Sequence, residues 1–146
     1  MDLPAGFGID TDPTRLDRAM IHRFLSGESY WAHGIPREVV DRAIAGSLCF
    51  GAYAPDGRQA GFARAITDRA TFAYVGDVFV LPEFRGRGLS RALMAAIRAH
   101  PELQGLRRWL LVTRDAHGLY AGFGFTPLPA PERFMTIQRA NPYASP

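Results

Sequence analysis

The stretch from Asp77 to Ile97, DVFVLPEFRGRGLSRALMAAI, holds the residues best suited to bind a phosphorylated ligand. Gly86 and Gly88 let the backbone turn tightly and approach a ligand with no Cβ in the way. Arg85 and Arg87 add positive charge. Leu89, Leu93, Ala96 and Ile97 share one face at helical spacing, so a helix opens directly behind the loop. Free N–H groups at the start of such a helix, together with its positive dipole end, form a cradle for a pyrophosphate. Asp77, at the head of the same stretch, alternates along a strand with Ala73, Val75, Phe79 and Leu81. A carboxylate on an otherwise apolar face is a candidate base or amine anchor, and equally an acceptor of hydrogen bonds from loop backbone.

Other glycine-rich loops fit less well. No GxxxxGK[ST] string occurs, which argues against a nucleoside-triphosphate loop. The dinucleotide fingerprint GxGxxG is also missing, and the loop sits mid-chain instead of after a first strand. The spacing that does fit is RxxGxG, from Arg85 through Gly86, Arg87, Gly88 and Leu89 to Ser90. Downstream, the apolar run RWLLVT (Arg108 to Thr113) reads as a buried strand, followed by Leu119-Tyr120 and then Gly124-Phe125. The RxxGxG loop, the "LY" pair and the "GF" pair, in this order, resemble the GCN5-related N-acetyltransferase (GNAT) superfamily. The resemblance runs from about Phe50 to Leu128. One departure is Ser90, where the family has Gly or Ala; a small hydroxyl leaves the loop possible and can itself bond a phosphate or cap the helix.

The resemblance implies a mixed α/β fold, a central sheet with flanking helices, in which the fourth and fifth strands splay apart around the thioester arm of acetyl-CoA. It implies that Arg85, Gly86, Arg87, Gly88, Leu89 and Ser90 hold the pyrophosphate, and that Phe79 and Val80 offer backbone groups to the pantetheine arm. Tyr120 matches the family tyrosine that protonates the departing thiolate. A phenol of pKa about 10 is protonated at neutral pH and can donate; without the motif it would read as an aromatic packed on its helix. Asp115 stands where many relatives carry an Asn that contacts the cofactor, although a helix cap is the simpler reading. Tyr30 and Trp31 lie in the segment that borders the acceptor pocket in this superfamily; they form either an aromatic wall for an amine or plugs in the core. Many relatives pair as homodimers, which the resemblance extends to this chain.

Such chemistry requires a neutral amine. At pH 7 an amine of pKa about 10.4 is neutral in only about one molecule per thousand, so a base or a desolvating pocket must supply the difference. Cys49, in the apolar run LCFGAY, reads as a buried small hydrophobe and gives no support to an acyl-enzyme step. His117 reads as a solvated helix-surface residue, and no His and Cys spacing suggests a metal site.

The elements needed to position these groups follow from periodicity. A first strand over Phe7 to Asp10 precedes helices over Arg15 to Leu25 and after Pro36. Strands follow over Leu48 to Ala54, Gln59 to Thr67 and Thr71 to Leu81, the first two joined at the Pro55-Asp56-Gly57 turn. The helix behind the cradle stops at His100-Pro101. Strand Arg108 to Thr113, a short helix with Tyr120, and two short strands over Thr126 to Leu128 and Phe134 to Gln138 complete the order.

Composition bounds the rest. At 146 residues the whole of 1–146 reads as one domain, and 47% apolar content excludes disorder as the main state. One cysteine and no leader-like N-terminus lead to a cytoplasmic expectation, and no run reaches the ~20 apolar residues of a membrane span. All 17 basic residues are Arg and the net charge is +3, a mild lean. Nucleic-acid binding is the weaker rival, since the charges do not interleave with exposed aromatics. A non-catalytic acyl-CoA-binding module is the other, and Tyr120 argues against it. The expected activity is acetyl transfer from acetyl-CoA to a primary amine of a small molecule, with no metal.

Overall fold

The computed structural model describes residues 3–140, 142 and 143. Strand β1 (Gly8–Asp10) is followed by helices α1 (Arg18–Gly27) and α2 (Arg37–Ala45), then strands β2 (Leu48–Tyr53), β3 (Gln59–Thr67) and β4 (Phe72–Val80). Helix α3 (Leu89–Ala99), strand β5 (Arg108–Leu110) and helix α4 (His117–Ala121) complete the set. The strands form one sheet in the order β1-β2-β3-β4-β5, antiparallel through β4 and parallel between β4 and β5. This is the mixed α/β sheet expected from the sequence.

Local chemistry sets the boundaries. Asp17 caps α1 by accepting from the Met20 amide at 3.0 Å, and Pro36 takes the cap position of α2, where its missing N–H costs nothing. The β2–β3 turn closes with Gly57 at φ +90° and the Asp56 carboxylate accepting from the Arg58 amide at 2.9 Å.

Helices cover the sheet on both faces. Leu48, Phe50, Ala63, Val75 and Val80 pack with Leu89, Leu93 and Ile97 of α3. Cys49, Phe62 and Phe79 pack on the other face with Ile21, Phe24, Val40 and Ile44 of α1 and α2. This double cover explains why all six residues of β2 are buried. Each large side chain buried this way contributes about 1.5–3 kcal/mol.

Three expectations are corrected. The RWLLVT strand keeps only its first half, because pairing with β4 ends at Tyr74 opposite Leu110. Thr126 to Leu128 and Phe134 to Gln138 form no strand, since no neighbouring strand pairs with them. The simple alternation assumed for Asp77 also fails. Phe62 lies opposite Phe79 and Arg64 opposite Gly76, so β4 carries one extra residue between those pairs. That is a β-bulge, with Asp77 at φ +53°. Across it, Val75 faces α3 while Phe79 faces α1 and α2.

Candidate active site

β4 continues for six residues beyond its last pair with β5, from Val75 to Val80. The two strands therefore part, and the open side of β4 leads toward the loop before α3. A cleft of about 320 Å³ lies there, lined by Val80, Phe84, Arg85, Gly86, Gly88, Leu89, Ser90, Arg91 and Leu119. It brings the cradle of α3 together with the helix that bears Tyr120.

Gly86 and Gly88 have φ of +79° and +80°, and an added Cβ at either would meet nothing within 4 Å. Glycine is required here by the left-handed backbone and not by crowding. Gly88 caps α3 without a side chain, and the first helical hydrogen bond runs from Ala92 to the Gly88 carbonyl at 3.0 Å. The amides of Leu89, Ser90 and Arg91 precede that bond and are available to an anion. Arg85 turns back, its Nε donating to the Val80 carbonyl at 3.1 Å, which fixes the loop to the end of β4. Arg87 instead packs over the rings of Phe7 and Phe84, with centroid distances of 5.9 and 5.7 Å.

The side chain of Phe79 is buried and stacked on Phe24 at 4.0 Å with an interplanar angle of 9°. Any contact it makes with a ligand therefore uses its backbone. Asp115 does not cap α4: the cap residue is Ala116, whose amide donates to Thr113 Oγ1 at 3.1 Å. Asp115 itself is exposed, 3.8 Å from Arg114, and does not line the cleft.

Tyr120 is half-buried on α4, edge-on to Phe125 with centroids 6.1 Å apart. Its hydroxyl has no partner among the described residues. Burial, and then the nearby Tyr30 and Asp115, push its pKa above the ordinary value of 10.0. The phenol stays protonated through neutral pH, as a proton donor must.

The bulge aims Asp77 at the α1–α2 loop. Its two oxygens accept from Arg64 Nε at 2.5 Å and from Trp31 Nε1 at 2.7 Å. Arg64 also donates to Ser47 Oγ at 3.0 Å. A Ser47–Arg64–Asp77–Trp31 chain thus ties the loop to the sheet. Trp31 meets Tyr30 edge-on at 5.1 Å, and the Arg114 guanidinium lies 3.8 Å above the Tyr30 ring. The Arg114 amide donates to the Tyr30 hydroxyl at 3.0 Å. Tyr30 and Trp31 are 47% and 41% exposed, so they are not plugs in the core.

Sequence reasoning missed Arg64, Arg91 and Arg114. Arg64 was the most accessible of these, being the one charge in the apolar run of β3. Asp77→Ala leaves the mostly buried Arg64 without its carboxylate and should cost about 3 kcal/mol, while Asp77→Asn should retain part of it. Chemical denaturation of the two variants beside the parent measures both losses.

Cys49 is 5% exposed and burial pushes its thiol up to about 11. It is protonated and covered at neutral pH, so native protein should resist iodoacetamide and become fully alkylated only when denatured, as read by intact mass.

Comparison with known proteins agrees with this geometry. Residues 45–127 match the model of the acetyltransferase (GNAT) domain. A candidate acetyltransferase of Gibberella zeae is 32% identical over 133 residues, 77% of this chain and 74% of its own length. The crystal structure of a candidate GNAT acetyltransferase from Xanthomonas campestris pv. campestris is 55% identical. It superposes on 99% of this chain and 100% of its own with a TM-score of 0.95. A Clostridium acetobutylicum acetyltransferase solved with acetyl-CoA shares the fold, at a TM-score of 0.67 and 12% identity over 90% of this chain and 96% of its own. A domain match across more than half the chain and a relative alike along nearly all of it lead to one assignment: this chain belongs to the GNAT acetyltransferase family.

Proposed function

We propose that this protein transfers an acetyl group from acetyl-CoA to a primary amine of a small molecule by direct attack in a ternary complex. The observation that carries the reading is the parting of β4 from β5 into a cleft that joins the α3 cradle to the Tyr120 helix.

The amides of Leu89 to Arg91 and the side of Arg85 not bonded to Val80 receive the pyrophosphate. Gly86 and Gly88 provide the turn, and Ser90 lies within the same cradle. Backbone groups of Phe79 and Val80 on the open side of β4 receive the pantetheine arm, and Arg85 braces that end of the strand through its bond to the Val80 carbonyl. Acetyl-CoA supplies the activated thioester. Tyr120 donates its phenolic proton to the sulfur as the C–S bond breaks, and recovers a proton from solvent. Tyr30 and Trp31 wall the acceptor. With both oxygens of Asp77 engaged, its geometry supports a positioning role that holds Trp31 in place more than a role as base. The amine proton then passes to water from a partly desolvated pocket.

The compact aromatic rim favours a small acceptor over a polypeptide. We further propose that 1–146 acts as one domain and works in the cytoplasm without a metal. Among the described residues no helix is long and apolar enough to cross a membrane.

Calorimetric titration with acetyl-CoA, CoA and ATP tests the reading. Micromolar binding of the first two and none of ATP is the expected result, and a screen of amines for thiol release follows from it. Failure to bind acetyl-CoA would remove the enzyme assignment.

A further inference from the structure

The α1–α2 loop straddles the gap between the parted strands. Trp31 is bonded to Asp77 on β4, and the hydroxyl of its neighbour Tyr30 accepts from the amide of Arg114, in the segment that follows β5. The base of the loop is firm. Ser29 is buried, its Oγ donating to the Leu25 carbonyl at 2.6 Å and accepting from the Ala32 amide at 3.1 Å. The Gly34 amide closes the loop on the Ser26 carbonyl at 2.9 Å. Tyr30 and Trp31 therefore stand at set positions toward the two sides of the gap, and Tyr30 is near enough to Tyr120 to bear on its phenol.

The charges at the two anchors differ. Asp77 is spent, because Arg64 and Trp31 engage both its oxygens and its side chain is 11% exposed. Arg114 is not. Its guanidinium lies 3.8 Å above the Tyr30 ring, its side chain is 65% exposed, and among the described residues that guanidinium donates no hydrogen bond. The Asp115 carboxylate stands 3.8 Å away, past hydrogen-bond reach, and two exposed charges at that range attract weakly. Stacking on a ring fixes the plane of a guanidinium while its edge donors stay open. Such a fork can meet a carboxylate or a phosphate with two parallel bonds. A second positive group on the acceptor would find the reverse, since Arg114 repels it and the Asp77 oxygens are engaged.

We propose that the amine acceptor carries an anionic group, a carboxylate or a phosphate, and that Arg114 binds it. The inference rests on the acetyl transfer proposed above and names the class of acceptor that site takes. Tyr30 sets the guanidinium from below, and the loop beneath keeps Tyr30 in place. Anchoring the anion at the rim lets the amine alone enter the gap, where loss of water favours the neutral nitrogen that attack needs.

Pairs of amines that differ in one anionic group test it: glycine against methylamine and phenylalanine against phenethylamine for the carboxylate, O-phosphoethanolamine against ethanolamine for the phosphate. With thiol release from acetyl-CoA as the rate, the anionic member of at least one pair should have the higher kcat/KM, by about 10–100-fold. Arg114→Gln should remove that preference by raising KM for the anionic amine about tenfold or more, and Arg114→Lys should return part of it. The Kd for acetyl-CoA should move less than about twofold in both variants, as expected of a residue that holds the acceptor and not the donor. No preference for the anion in any pair, or a preference that survives Arg114→Gln, would overturn the proposal and leave acetyl transfer standing. Loss of acetyl-CoA affinity in Arg114→Gln would also overturn it, by placing Arg114 on the donor. Calorimetric titration of the same amines, with and without CoA, supplies a readout apart from turnover. An anionic amine bound by the parent and not by Arg114→Gln supports the site even if acetyl-CoA fails to bind and acetyl transfer falls. Anionic amines that are neither turned over nor bound would overturn it.

Discussion

Tyr120→Phe should lower kcat by about 10²–10⁴-fold, the usual worth of a positioned proton donor, while the Kd for acetyl-CoA stays within a factor of about two. The change removes one oxygen and keeps the ring that packs against Phe125, so binding and fold are spared. Burial raises the phenol above its ordinary pKa of 10.0, so the parent enzyme should show no alkaline loss of kcat from this group below about pH 10. Rates from thiol release across the pH range, with calorimetric Kd values, check both parts. A variant that turns over at the parent rate would assign the proton donation to another group or to water.

Gly88→Glu should weaken acetyl-CoA binding by more than about 100-fold. Two effects combine: the left-handed backbone at φ +80° costs about 1–2 kcal/mol for a residue with a Cβ, and a carboxylate then stands where the cradle receives phosphates. Gly88→Ala separates them. Space around the position is open, so alanine should incur only the backbone cost and weaken binding about tenfold. Paired calorimetry and thermal melts decide the matter. Equal loss of affinity in the two variants would mean that conformation alone matters and that the phosphates lie elsewhere.

Much of this molecule was legible in its sequence because the signals were local. Leu89, Leu93 and Ile97 repeat at helical spacing, and the cradle and the "LY" pair are written in consecutive residues. The bulge was not legible, since it exists only when the residues of β3 are counted against those of β4. Without it, Asp77 looked like a carboxylate on an apolar face, and its pairing with Arg64 and Trp31 was hidden. The α4 cap was misread for a smaller reason: Thr113 and Asp115 are both capable acceptors, and the backbone course selects Thr113. Phe134 to Gln138 had the pattern of a strand yet pairs with no strand among the described residues, because alternation specifies a face and not a pairing edge.

The cradle is built from main-chain amides and glycine torsions, whereas the acceptor wall we propose is built from side chains on the α1–α2 loop, tied down at Asp77. Inheritance can therefore treat the two halves differently. On the function proposed above, exposed positions of that loop such as Glu28, Tyr30 and His33 can vary and retarget the amine while the donor half stays intact, since no side chain of that loop lines the cradle. Directed evolution toward new acceptors would do best to randomise that loop and leave Trp31, Asp77 and Arg64 fixed as the hinge pin on which each new loop must hang.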